Sequence, residues 1–165
     1  MHTQSMNTSI QPTFRIFIVE DEPITAEDLE YLLRSCGYDV VGNEDTGKKA
    51  YQKIVETNPD LVLLDIKLKG KTDGIEVGAW LHERLHIPVV YLTAYADNET
   101  LERAKLTEPY GYILKPFEKN QVKATVETAL HKYSMEKAAK ERTEQDLERF
   151  EQLQRLVEQF MEKAQ

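Results

Sequence analysis

Five polar residues stand directly after short apolar runs, and their types suit phosphoryl chemistry. Glu20 and Asp21 follow RIFIV, Asp65 follows LVLL, Thr93 follows VVYL and Lys115 follows YGYIL. Carboxylates that lie close together repel one another unless a cation neutralises them, and their oxygens suit Mg²⁺, which also accepts phosphate oxygens. A carboxylate held in this way can attack phosphorus, while an ammonium and a hydroxyl stabilise the transferred oxygens. The residues therefore predict a magnesium-dependent phosphoryl acceptor.

The hydrophobic pattern predicts the elements that would position these residues. Apolar runs rich in β-branched residues predict five strands, with segments of helical spacing between them. The predicted strands are Arg15–Val19, Asp39–Gly42, Leu61–Leu64, Val89–Thr93 and Tyr112–Leu114. The first, third and fourth are continuously apolar, as expected for strands buried on both faces. This alternation predicts a doubly wound α/β fold with helices on both faces of a parallel sheet of order 2-1-3-4-5, which is flavodoxin-like.

The polar residues would share one edge of that sheet. In an open parallel sheet, ligands bind beyond the carboxyl ends of the strands, near the point where the strand order reverses. Each residue also has an ordinary explanation by itself, because acids cap helices and threonine is common in strands. Their convergence on a single edge favours a functional site.

The chain is predicted to have three regions: a polar leader at 1–13, a folded domain at 14–134 and a helical extension at 135–165. Gly and Pro are absent from residue 117 to the last residue, and helix-forming residues abound there, so the fifth helix should continue beyond the domain. A 3-4-3-4 spacing near its end predicts a coiled coil and a possible homodimer. The residues of this spacing are Phe150, Leu153, Val157, Phe160 and Ala164.

Composition excludes several classes of protein. The formal net charge is -8 and the sequence pI is about 5.1, so direct binding to nucleic acid is not expected. No stretch approaches the roughly 18 apolar residues of a membrane-spanning helix, and the first residues lack the apolar core of a signal peptide. The only cysteine, Cys36, has no intramolecular partner. A cytoplasmic protein is expected.

With these residues identified, the chain resembles the receiver domain of the two-component response regulator family, which is CheY-like. The resemblance covers residues 14–134 and is carried by EDEP, LVLLDI, LTA and YGYILKPF, together with the intervals between them. It implies that a sensor histidine kinase phosphorylates Asp65. It also implies that Glu20, Asp21, Asp65 and the backbone carbonyl of Lys67 hold Mg²⁺.

The resemblance further implies how the phosphoryl group is detected. Thr93 and Lys115 would contact it, and Tyr112 would change rotamer when Thr93 moves. The Lys115–Pro116 peptide bond would be cis. The signal would leave through the fourth helix, the fifth strand and the fifth helix to an unknown downstream protein. Such a chain is not an enzyme acting on a separate substrate, since it catalyses only its own phosphorylation and dephosphorylation.

One segment departs from the family pattern, and two other functions compete. After Asp65 the chain reads IKLKGKTDG without the usual proline-glycine turn, so a different loop is expected beside the metal. Lys67 and Tyr95 occupy variable positions that tune the lifetime of the phosphorylated state. A hydrolase of the haloacid dehalogenase type would need a second Asp where Lys67 stands. A phosphorylation-silent scaffold that dimerises through its tail is the other alternative.

Overall fold

The computed structural model describes residues 13–94 and 97–164, and within them it forms a five-stranded parallel sheet with helices between the strands. The strand order is β2-β1-β3-β4-β5, as predicted. The strands are β1 (Arg15–Val19), β2 (Asp39–Glu44), β3 (Leu61–Asp65), β4 (Val89–Thr93) and β5 (Gly111–Leu114). The helices are α1 (Pro23–Ser35), α2 (Gly47–Thr57), α3 (Gly74–Trp80), α4 (Asn98–Lys105) and α5 (Lys119–Lys163), with a π-helical turn at Leu81–Leu85 directly after α3. The predicted leader lies outside the described residues except for Thr13.

The core surrounds the three central strands. Every residue of β3 and β4 is buried, and so is every residue of β1 after Arg15. Continuous burial explains why these strands carry uninterrupted apolar runs, because helices cover both faces of a parallel sheet. The helices contribute fully buried side chains that include Leu29, Ile54 and Leu81.

Turns at the amino edge of the sheet use an uncommon backbone conformation. Gly37, which follows α1, has a φ of 90°, the left-handed conformation with which glycine commonly ends a helix. Asn58, His86 and Glu108 have φ values of 45°, 53° and 52°. These three residues lie in the connections that lead into β3, β4 and β5. They are therefore at the opposite edge of the sheet from the predicted site.

The chain divides into two compact units, the first ending at Ala129 and the second beginning at Leu130. The division falls inside α5. In the second unit, every described residue from Ser134 onward is exposed. Among the described helices, none combines the length and the hydrophobicity needed to span a membrane.

Candidate functional site

Three carboxylates meet at the carboxyl edge of the sheet. Glu20 and Asp21 follow β1, and Asp65 is the last residue of β3. These strands are neighbours, with Val19 paired to Leu64, so their ends converge. One carboxylate oxygen from each of the three residues lies within 4.8 Å of the others. Glu20 and Asp65 are buried, with only 2% and 6% of their surfaces exposed.

Lys115 places one ammonium between two of these acids. Its Nζ lies 2.7 Å from Asp65 Oδ2 and 2.5 Å from Glu20 Oε2. The backbone N–H of Lys115 donates to the carbonyl of Thr93 at 2.8 Å, which extends the β4–β5 ladder. Burial opposes the charge of Lys115, but hydrogen bonds to Asp65 and Glu20 outweigh it and raise the pKa of the ammonium. Lys115 therefore stays charged at neutral pH. The Lys115–Pro116 bond is cis, as expected from the sequence.

Glu20 carries the largest electrostatic strain in the site. Burial, helped by the negative charge of Asp65, raises its pKa from 4.5 to about 7, although hydrogen bonds from Lys115 and Glu22 oppose the rise. The backbone N–H of Glu22 donates to Oε1 at 3.0 Å. Oε2 is fully buried, and the group in contact with it is the Lys115 ammonium. A single lysine therefore only partly offsets the free-energy cost of burying the charged carboxylate of Glu20.

This donor set fits a magnesium ion. Glu20, Asp21 and Asp65 present hard oxygen ligands, which Mg²⁺ prefers in proteins. Burial raises the pKa of Glu20 even beside Lys115, so a further cation would stabilise the ionised carboxylate. The backbone of Lys67 is also adjacent, since its N–H donates to Asp65 Oδ1 at 2.9 Å. Three of the ligands that the resemblance implies, Glu20, Asp21 and Asp65, thus lie close enough together to share one ion.

The loop after β3 encloses the acids from one side. The backbone N–H of Lys69 donates to Asp21 Oδ2 at 2.9 Å, and Gly70 has a φ of 103°. Gly74 begins α3 against the backbone oxygen of Asp65, so close that a Cβ at this position would overlap that oxygen. The loop formed by IKLKGKTDG thus lies directly beside the acidic cluster.

Thr93 and Tyr112 lie on neighbouring strands of the same region. Thr93 is the last residue of β4 and is 6% exposed. Tyr112 pairs with Tyr91 across β4 and β5, and their ring centroids are 6.0 Å apart. Tyr112 Oη is buried and has no hydrogen-bond partner among the described residues. The structure thus brings Glu20, Asp21, Asp65 and Lys115 together, and places Thr93 nearby. Tyr95 lies outside the described residues.

Sequence reasoning missed a buried polar contact behind Tyr112. The hydroxyls of Tyr91 and Thr107 are 2.6 Å apart, and Thr107 Oγ1 also donates to the carbonyl of Ala104. Burial raises the pKa of Tyr91 to about 12. A Cβ at Gly78 would overlap the Tyr91 hydroxyl. A tyrosine inside the apolar run VVYLT was the only sequence signal, because a buried phenol needs a hydrogen-bond partner.

The fold and the acidic edge define a class of protein, and comparison with known proteins agrees with it. Residues 16–127 match the response regulator receiver domain. The chain therefore belongs to the response regulator receiver family, which was the family predicted from its motifs.

Two known regulatory proteins are similar to this chain in sequence. It is 32% identical over 119 residues to the transcriptional regulatory protein PdtaR of Mycobacterium tuberculosis, covering 72% of this chain and 58% of that protein. It is 35% identical over 116 residues to the phyllosphere-induced regulator PhyR of Methylorubrum extorquens, covering 70% and 43%. The chain thus spans about half the length of these relatives.

A solved structure is similar over the receiver region. The signal receiver domain of a modulated diguanylate cyclase from Desulfovibrio desulfuricans G20 superposes with a TM-score of 0.73 at 37% identity. The superposition covers 76% of this chain and 99% of that domain.

Proposed function

We propose that Asp65 accepts a phosphoryl group from a sensor histidine kinase in a magnesium-dependent reaction. The observation that carries the proposal is the contact between Lys115 Nζ and Asp65 Oδ2, within a cluster of three carboxylates on one sheet edge. A cluster of this kind needs a cation, and a nucleophilic carboxylate beside an ammonium suits phosphoryl transfer.

Each residue has a distinct part in the proposed reaction. An oxygen of Asp65 attacks phosphorus, so a new O–P bond forms while the N–P bond of the phosphohistidine breaks. Lys115 and Thr93 stabilise the transferred oxygens by charge and hydrogen bonding. Mg²⁺, held by Glu20, Asp21, Asp65 and the carbonyl of Lys67, would neutralise charge on the phosphoryl group when bound. The chain would catalyse only its own phosphorylation and dephosphorylation.

A surface next to Lys115 suits the kinase. A cavity of about 460 Å³ lies between α1 and the start of α5, and a second one beside it includes Lys115. The cavity is lined by residues that include Asp28, Tyr31, Pro116 and Phe117. On the same helix, Ile24 and Tyr31 are 74% and 79% exposed. Ile24 and Tyr31 stand seven positions apart, on one face of α1, so together they form an apolar patch that suits protein binding. A kinase docked here would bring its phosphohistidine to Asp65.

The phosphoryl group would then shift a two-state element. Tyr112 Oη has no partner among the described residues, so no described hydrogen bond opposes a rotamer change when Thr93 moves. We expect the signal to leave through α4, β5 and α5 toward a downstream protein. We further propose that this signalling takes place in the cytoplasm.

Labelling with acetyl phosphate and Mg²⁺ tests the acceptor assignment. We expect one acid-stable, base-labile phosphoryl group per chain, detected by intact mass, and none on Asp65→Asn. Asp146→Asn, which changes an exposed acid of the tail, is the matched control and should label normally. Labelling of Asp65→Asn at the wild-type rate rejects the proposal. Absence of labelling on both the wild type and Asp65→Asn also rejects it and favours the phosphorylation-silent scaffold.

A second assay tests the kinase surface. Ile24→Asp should label normally with acetyl phosphate, yet accept phosphate at least tenfold more slowly from a phosphorylated histidine-phosphotransfer domain. The exposed Val55 of α2 offers the matched control, Val55→Asp. Equal rates of transfer to both variants would place the kinase on another surface.

We also propose that the extension pairs with a second copy of itself. In the second unit, large apolar side chains are more than half exposed along one stretch: Leu147, Phe150, Leu153, Leu156, Val157, Phe160 and Met161. Leu147, Leu156 and Met161 add apolar surface to the residues of the 3-4-3-4 spacing. Burial against a second helix would remove this apolar surface from water.

Sedimentation of the full chain tests this pairing. We expect a dimer, and a monomer both for a chain ending at Tyr133 and for the Leu153→Glu/Val157→Glu variant. A full chain that stays monomeric at high concentration, with and without acetyl phosphate, contradicts the proposal.

A further inference from the structure

A third cavity lies beside the acidic cluster, between the start of α2 and the loop that follows β3. Its volume is about 410 Å³, within the range of small-molecule sites. We call it the lysine cavity, and its lining includes Thr46, Lys48, Tyr51, Lys69, Lys71 and Thr72. The two walls are in close contact, since a Cβ at Gly47 would lie 2.9 Å from Thr72 Cγ2.

The lysines of this cavity lack close counter-ions. Among the described residues, no carboxylate lies within 4.0 Å of the ammonium of Lys48, Lys69 or Lys71, whereas the neighbouring Lys49 pairs with Asp45 at 3.0 Å. Asp45 interacts with Lys69 only at longer range. Three such cations around one cavity are unusual in a chain of net charge -8. Together they form a local anion-attracting surface.

The placement of these lysines also opposes the stability of α2. Lys48 and Lys49 lie in its first turn, which has no acidic residue. Cations near the positive end of a helix dipole are unfavourable by about 0.3–1 kcal/mol each. Lys69 and Lys71 add further positive charge from the facing loop. An anion in the cavity would relieve this repulsion.

One wall of the cavity is a fixed aromatic ring. Tyr51 packs edge-on against Trp80, with ring centroids 4.6 Å apart and an angle of 76° between the planes. A planar group can lie against such a ring, while phosphates contact the lysines. We propose that the lysine cavity binds a nucleoside phosphate, with the base against Tyr51 and the phosphates on Lys48, Lys69 and Lys71.

A ligand in the lysine cavity would affect the acidic cluster, because the loop after β3 contacts both. The backbone N–H groups of Lys67 and Lys69 donate to Asp65 and Asp21, and Lys69 and Lys71 line the cavity. A ligand that fixes this loop changes the free energy of Mg²⁺ binding, and Mg²⁺ changes ligand affinity by the same factor. The cavity would thus link nucleotide concentration to readiness for phosphorylation.

Calorimetric titration of ADP into the full chain in the presence of EDTA tests the site, because chelation keeps Mg²⁺ from carrying the nucleotide to the acids. We expect saturable one-to-one binding. A triple lysine-to-glutamine variant of the cavity should bind at least tenfold more weakly, the substitutions being Lys48→Gln, Lys69→Gln and Lys71→Gln. A triple variant of the tail with the same charge change should bind normally, the substitutions being Lys137→Gln, Lys140→Gln and Lys163→Gln.

Further titrations test which parts of ADP contribute to binding and whether the lysine cavity binds independently of the acidic cluster. Adenosine and inorganic phosphate should each bind at least tenfold more weakly than ADP, and Tyr51→Leu should reduce the affinity for ADP but not for phosphate. Asp65→Asn should still bind ADP, whatever the outcome of phosphorylation assays. Absence of saturable ADP binding overturns the site, as do equal losses in the two triple variants. Equal affinities for phosphate and ADP overturn the nucleoside assignment.

Discussion

In the absence of divalent metal, the protein should become less stable as the pH rises, because the buried carboxyl of Glu20 then loses its proton. Its carboxyl has a pKa of about 7 in the folded chain, against an ordinary value of 4.5. Between these values the folded state binds more protons than the unfolded state, so the free energy of unfolding falls with increasing pH. A shift of one pKa unit corresponds to about 1.4 kcal/mol, so the raised pKa of Glu20 lowers the free energy of unfolding by about 3 kcal/mol in total. About 2.5 kcal/mol of this loss falls between about pH 5 and pH 7.5.

Urea unfolding in EDTA, followed by far-ultraviolet circular dichroism, measures this loss. With a slope of about 1–3 kcal/mol per M urea, the midpoint should fall by about 0.8–2.5 M across that pH range. Glu20→Gln removes the titrating group, so its stability relative to wild type should rise steadily with pH. Groups such as Asp45, Asp97 and Glu56, whose pKa values are lowered by local hydrogen bonds, contribute equally to both proteins and cancel.

Two results would refute the reasoning. A wild-type to Glu20→Gln difference that stays constant from about pH 5 to pH 7.5 would show that burial does not raise the pKa of this carboxyl. Excess MgCl₂ should shrink the pH-dependent loss, since the metal favours the ionised carboxylates. If the loss is the same with and without Mg²⁺, Glu20 does not contribute to a metal site.

Three further predictions concern packing around the site, each checked by urea unfolding. Gly74→Ala should destabilise the protein by about 2–3 kcal/mol, because its Cβ overlaps a backbone oxygen of Asp65 that cannot rotate away; an unchanged midpoint contradicts this close approach. Tyr91→Phe should cost about 1 kcal/mol, because it leaves Thr107 without its phenolic partner. Gly78→Ala should cost more alone than in the Tyr91→Phe background, where the overlapping hydroxyl is gone; additive costs would exclude that contact.

The strands were predictable where burial on both faces leaves a continuous apolar run. The predicted bounds of β1 and β4 agree with the structure, because an uninterrupted apolar run marks each strand. Strand β2 runs two residues further than predicted, to Glu44, since Asn43 and Glu44 pair with β1. Their polar side chains gave no signal, because this pairing depends on a neighbouring strand that is distant in sequence.

The positions of the site residues followed from topology alone. Residues that end parallel strands must share an edge, so the sequence pattern predicts that Asp65 and Lys115 lie there. Their contacts were not predictable, because the reach of Lys115 to both acids depends on side-chain conformation and burial. The π-helical turn at Leu81–Leu85 also has no local signature, since its sequence favours an ordinary helix.

The left-handed residues at the amino edge of the sheet offer a means of strengthening the fold without altering its chemistry. A residue with a Cβ is strained in this conformation by about 1–2 kcal/mol, except that asparagine tolerates it better. Replacement of His86 or Glu108 by glycine would therefore relieve more strain than replacement of Asn58, and each change would also remove the contacts of the side chain, such as the 3.1 Å contact between Glu108 and His82. A fold strengthened in one of these turns would tolerate damaging substitutions among the acids, far from the altered turn.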